Sequence, residues 1–122
     1  LQRRFMQYSI EDKAYLWDIV DACEDILQFT KCISFEQFES DKIRRFAVER
    51  QLLVIGEASK RLSSSAKDNF PTVEWKKITG LRNIIAHEYG EIITERIWIV
   101  VQRNIPELYK LLKAEALSKV IK

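Results

Sequence analysis

Turn-forming residues are scarce in this chain: 122 residues hold three glycines and two prolines. That is too few for the tight turns that a sandwich or barrel of short strands requires, so helices are the default. Metal ligands are scarce too. One histidine and two cysteines, Cys23 and Cys32, offer no CxxC or paired-His spacing, so neither a metal nor a cofactor is expected. The two cysteines would close only a short loop, which fits a reduced, cytoplasmic protein. The opening Leu1-Gln2-Arg3-Arg4 leads into no apolar signal core. No apolar run approaches the roughly 20 residues that cross a bilayer, and no membrane association is expected. An excess of charge of one sign is likewise missing. Twenty Lys+Arg against 18 Asp+Glu leave a net charge of +2, so attraction to a polyanion must come from local distribution.

What is present is 47% apolar content with interspersed charge, at a length that builds one core and no second. Residues 1–8 read as a flexible lead-in and 9–120 as a single domain. Ser9, with Asp12 three positions on, resembles a capping box and opens a helix of about five turns, with Leu16, Ile19, Val20, Cys23, Ile26 and Leu27 inward. Ser34 and Gln37 repeat the pattern for a brief helix carrying Phe35 and Phe38. Asp41 caps a long helix of roughly six turns whose apolar stripe is expected to run through Ile43, Phe46, Ala47, Leu53, Val54, Ala58 and Leu62. Gly56 inside it predicts close approach of another helix. Ser63 to Pro71 reads as a polar connection. A further helix from Thr72 turns Trp75, Ile78, Leu81 and Ile85 inward and stops near Gly90. The next begins around Thr94 with Ile97, Trp98 and Val101. At Pro106 it either kinks or gives way to a separate last helix, capped by Asn104 and running through Leu117. The fold class is all-α, an antiparallel bundle of four to five helices.

Charge is shared unevenly. Residues 9–29 carry six acids and one base, whereas residues 41–62 carry six bases and three acids. Lys42, Arg44, Arg45 and Arg50, with Lys60 and Arg61, are candidates for an RNA-facing surface whose affinity falls as salt rises. They serve equally as a solvated helix face that pairs with the acidic first helix. The stretch Arg82-Asn83-Ile84-Ile85-Ala86-His87-Glu88-Tyr89 breaks the bundle's monotony. At 100° per residue Arg82 and Tyr89 share one line of the helix, and Asn83 and His87 the adjacent one. The patch joins a permanent cation, an amide, a group titrating near neutrality and a phenol. His87 and Tyr89 would also suit a purely structural role at the helix end, with imidazolium at the dipole and a phenol over the core.

Arg82, His87 and Tyr89 form an R-x4-H-x-Y pattern. Around it stand Val54-Ile55-Gly56-Glu57-Ala58, Lys60-Arg61-Leu62, Val73-Glu74-Trp75-Lys76-Lys77-Ile78, Gly80-Leu81, Arg96-Ile97-Trp98 and Ile105-Pro106-Glu107-Leu108. In that order these segments resemble the HEPN superfamily, in its HepT-like branch of toxins from HEPN/MNT toxin–antitoxin pairs, over about residues 9–117. The resemblance implies a homodimeric HEPN bundle. It further implies a metal-independent endoribonuclease in which Arg82 and His87 act at a cleft between protomers and Asn83 occupies the family's supporting polar position. Its implied partner is a minimal nucleotidyltransferase antitoxin that adds AMP to Tyr89.

The chemistry is coherent without the label. Metal-free RNA cleavage needs a base for the 2′-hydroxyl, an acid for the leaving 5′-oxygen and positive charge at the transition state. One His fills one proton role at a time, whereas two copies of the motif about a two-fold axis fill both. Arg82 is assigned to the phosphate, His87 to proton transfer and Asn83 to orienting the ring or backbone. Two other readings remain: a non-catalytic helical dimer that binds a nucleotidyltransferase or nucleic acid, and a nucleotide-binding module with Arg82 on the phosphate. Messenger and transfer RNA are both open as substrates.

Overall fold

The computed structural model describes residues 8–87 and 91–121, with all their side chains except those of 86–87, 91–92 and 116–121. Its regular elements are helical, in the order α1 (Ile10–Phe29), α2 (Phe35–Ser40), α3 (Lys42–Arg61), α4 (Ser64–Asp68), α5 (Trp75–His87), α6 (Glu91–Ile99), a π-helical turn (Val100–Asn104) and α7 (Ile105–Ile121). The all-α bundle expected from the sequence is what forms.

Local chemistry sets the helix starts. Ser9 accepts the Asp12 N–H at 3.0 Å. Ser34 and Gln37 make a complete capping box, and the Asp41 carboxylate accepts the Arg44 N–H. At the first of these starts, the acid three residues on does not turn back to the cap. Asp12 is buried, and its carboxylate accepts both the N–H and the hydroxyl of Ser63, at 3.0 and 2.6 Å. The start of α1 is thereby tied to the end of α3, which fixes the two helices as antiparallel. α7 also runs antiparallel to α1: Tyr8 donates to Glu115, while near the other end Tyr109 donates to Glu24 at 2.8 Å. Residues 1–7 of the expected lead-in lie outside the described residues. Tyr8, its last member, is buried and packs with the domain.

The core sits where α1 lies along α3 and α7, and α3 also lies along α5. Leu16, Ile19, Val20, Cys23 and Ile26 from α1 meet Val48, Leu52 and Ile55 from α3 and Ile105, Leu108 and Leu112 from α7. Burial pushes the Cys23 thiol up to about 12, so it stays protonated and inert. Both cysteines are free; Cys32 is exposed, at a left-handed φ of 59°. The short α2 drives Phe38 into the core and stacks it on Trp98 of α6, ring centres 5.1 Å apart.

Several expectations need correction. The α3 stripe expected through Ile43 and Phe46 fails at that end, where the two side chains are 84% and 55% exposed, whereas its last members Ala58 and Leu62 are buried as expected. The inward face is Val48, Leu52, Ile55, Ala58, Ser59 and Leu62. The helix carries apolar residues on two sides, and α1 and α5 cover only one. The connection after Ser63 holds the capped turn α4, which buries Ala66. α5 begins at Trp75 rather than Thr72, and α6 at Glu91, three residues before Thr94. At Pro106 the separate last helix forms: α7 begins at Ile105 and continues past Leu117 to Ile121. Asn104 does not cap a fresh start but lies inside a π turn in which the Ile105 N–H reaches Val100 O. Proline has no N–H for the carbonyl four residues back and crowds it. The wider turn is how the chain absorbs that defect without breaking. The helix stop expected at Gly90 lies outside the described residues.

Candidate functional site

α5 carries the polar cluster, and its placement follows from one glycine on α3. At Gly56 the two helices come together: a Cβ there would stand 3.5 Å from Ile78 O and 3.8 Å from Arg82 Cβ. Alanine would just fit, and any longer side chain would push α5 away. The close approach predicted from Gly56 is therefore present, and it sets Arg82 beside the next residue, Glu57.

The Arg82 Nη1 lies 2.7 Å from Glu57 Oε1, with the two side chains 50% and 39% exposed. The contact is a charge pair without hydrogen-bond alignment, since Glu57 Oε1 is enclosed and has no aligned donor. A pair this open to water contributes at most about 1 kcal/mol, so Arg82 is held but releasable. Asn83 is exposed on the next position. His87 is the last residue of α5, five positions beyond Arg82, which is about 7.5 Å along the axis and 140° around it. The side chain of His87 and the whole of Tyr89 lie outside the described residues. Glu57 was not legible as a site residue. Its only signal was an acid next to the glycine of a basic helix.

Beside the cluster lies an apolar cavity of about 680 Å³ between α5 and the α6–α7 arm, walled by Ile78, Leu81, Ile85, Ile97, Ile105 and Leu108. Neither Arg82 nor Asn83 lines it. α5 thus turns Arg82 to α3 on one flank and apolar residues to the cavity on the other.

The basic residues of α3 divide into two sets. Arg44 is committed locally: its Nε contacts Asp41 at 3.1 Å and its Nη1 donates to Phe29 O at 2.9 Å, closing the end of α1. That arrangement, led by the Arg44 N–H, holds the Asp41 carboxyl below its ordinary range. Arg45 is half-buried, with Nε enclosed and without a hydrogen-bond partner. Burial pushes the neighbouring Glu49 carboxyl up, against the pull of Arg45. Lys42, Arg50, Lys60 and Arg61 are exposed. On α1, Glu11, Asp18 and Asp21 are exposed, so acidic and basic surfaces belong to different helices. Among the described residues no group of three His, Cys, Asp or Glu side chains is placed to hold a metal ion, and no helix is long and apolar enough to cross a membrane.

Residues 19–115 match the family model described as Ribonuclease HepT-like. A protein of Methanocaldococcus jannaschii named "Putative RNase MJ1380" is 40% identical over 98 residues, 80% of this chain and 90% of its own length. "Putative RNase TTE0752" of Caldanaerobacter subterraneus is 38% identical over 107 residues, 88% of this chain and 95% of its own. "Probable ribonuclease HepT" of Thermococcus cleftensis is 40% identical over 96 residues, 79% of this chain and 87% of its own. No solved structure matches the chain.

Proposed function

This chain belongs to the HepT-like ribonuclease family, and from that premise we propose that it is a metal-independent endoribonuclease acting as the toxin of a toxin–antitoxin pair. The observation that carries the reading is Arg82: a guanidinium half open to solvent, tethered by one screened carboxylate, inside the segment that reads R-x4-H-x-Y. An RNA phosphate can take the place of Glu57 at little cost, because charge-assisted, bidentate contact with phosphate is stronger than an exposed ion pair.

In the proposed reaction the 2′-hydroxyl gives up its proton and attacks the adjacent phosphorus, while the 5′-oxygen leaves and takes a proton. His87 acts as base in one protomer and as acid in the other, and the two Arg82 side chains stabilise the charge that builds on the phosphoryl oxygens. The need for a second copy follows from proton bookkeeping: one His fills one proton role at a time, and cleavage needs both a base and an acid. Asn83 orients the ring or the backbone. The nucleotidyltransferase partner transfers AMP from ATP to the Tyr89 hydroxyl with release of pyrophosphate. The adduct then blocks the cleft and offers Arg82 a competing phosphate.

The test is total RNA incubated with purified protein in EDTA, beside His87→Ala, with the new ends sequenced. Defined cuts that disappear in the variant, with an unchanged circular dichroism spectrum, are expected. Cuts that persist in His87→Ala remove the catalytic assignment, and a wild-type protein that makes no cuts leaves the non-catalytic dimer. Tyr89→Phe is expected to keep cleaving in the presence of the partner and ATP; equal silencing of that variant would sink the modification site.

A further inference from the structure

The corrected phase of α3 leaves a second face to explain. At 100° per residue, Lys42, Ile43, Phe46, Arg50, Lys60 and Arg61 fall within a sector of about 100°, on the side opposite Val48, Leu52 and Ile55. Ile43 and Phe46 are 84% and 55% exposed, and the four cations of the sector are exposed as well. Glu57 lies in the same sector, with its charge matched by Arg82. Glu49, at the sector's edge, is half-buried and faces the field of Arg45. The strip from Lys42 to Arg61 is about 28 Å long and leads from an exposed aromatic ring to the Arg82 pair.

We propose that this face is the track for a single-stranded stretch of RNA, with Phe46 stacking on a base and Lys42 and Arg50 neutralising phosphates on either side of it. An exposed ring set between cations one helical turn before and after it is the arrangement by which proteins hold single strands without reading their sequence. Charge decides against a second copy of the chain as the occupant. Two such faces brought together would oppose cation to cation, whereas a polyanion complements every unpaired charge on the strip. Phe46 and Glu57 are eleven residues apart, about 16 Å of helix, which a stacked strand covers in about five nucleotides. The inference rests on the ribonuclease reading and adds to it where the substrate lies and that the bound segment is unpaired.

The probe is a fluorescent dodecamer of 2′-O-methyl adenylate, which lacks the free hydroxyl needed for cleavage, titrated by anisotropy. Phe46→Ala is expected to weaken binding about tenfold, with Phe46→Tyr restoring it and Phe46→Leu failing to. Lys42→Ala and Arg50→Ala each lower the salt slope of log K by about 0.7, while Phe46→Ala leaves that slope unchanged. Unaltered affinity in Phe46→Ala, from a wild-type protein that still cuts total RNA, overturns the track and leaves the ribonuclease standing. A wild-type protein that neither cuts RNA nor binds the probe overturns both. If light scattering shows Phe46→Ala losing dimer mass and Phe46→Leu regaining both mass and binding, the face is a protein interface and the track is refuted.

Discussion

α1 and α5 are both amphipathic, yet they are held in opposite ways. α1 is embedded between α3 and α7 and buries Leu16, Ile19, Val20, Cys23 and Ile26 almost completely. Of the described side chains on α5, only Leu81 reaches that class; Trp75, Ile78, Ile84 and Ile85 are half-buried and line or adjoin a cavity. The first helix is scaffold. The second is a bracket fixed at Gly56 that leaves Arg82 and Asn83 facing outward. A site that must release one partner and accept another is better built on such a bracket, because its side chains change contacts without disturbing the core.

Four experiments press on this contrast, in descending order of effect. Arg82→Ala is expected to lower RNA cleavage about 10²–10³-fold, the range for removing one transition-state donor, with the melting temperature unmoved. An equal fall in stability would make Arg82 a structural residue. Ile26→Ala on α1 should cost about 2–5 kcal/mol in urea unfolding, whereas Ile84→Ala on α5 should cost under about 1.5. Equal losses would erase the distinction between scaffold and bracket. Asp12→Ala strands the Ser63 N–H and takes the closest acceptor from its hydroxyl, for which we expect about 1–3 kcal/mol by the same assay. The mildest is Gly56→Ala, where the added Cβ meets only ordinary contacts and helix propensity gains about 1 kcal/mol; a neutral to slightly stabilised protein that still cleaves RNA is the outcome to check.

Acid adds a further probe of the scaffold side. Glu24 is held below its ordinary range by the Tyr109 hydroxyl and the Lys113 ammonium, and Asp41 by the Arg44 N–H. Both lowered carboxyls stabilise the fold above the ordinary carboxylate pKa of about 4, and that contribution is lost as pH falls through their folded values. Thermal melts from pH 6 downward should therefore lose stability below about pH 4, less steeply in Tyr109→Phe, which removes the strongest hold on Glu24.

Where chemistry was local, the sequence was readable. Ser9, Ser34 and Asp41 signal helix starts through the next few residues, and all three cap as expected. The outward turn of Ile43 and Phe46 was hidden, because periodicity reports an apolar face but not whether a neighbour covers it. The diversion of Asp12 to Ser63 was hidden for a related reason: its partner lies 51 residues away. At the site, Arg82 and Asn83 stood out by type against a core-like helix. Glu57 did not, since its role exists only once Gly56 brings α5 alongside.

The π turn at Val100–Asn104 acts as a gear between two helices. Ile93, Ile97, Val101 and Ile105 are all buried at intervals of four residues, a spacing that drifts by about 40° at each step of an ordinary α-helix. Loosening the winding over five residues takes up part of that drift and keeps one inward line running from α6 into α7. Deletion of Gln102 would reset the winding and swing Leu108 and Leu112 out of phase by about 100°. Chain length through this turn is thus as constrained as any side chain in the core.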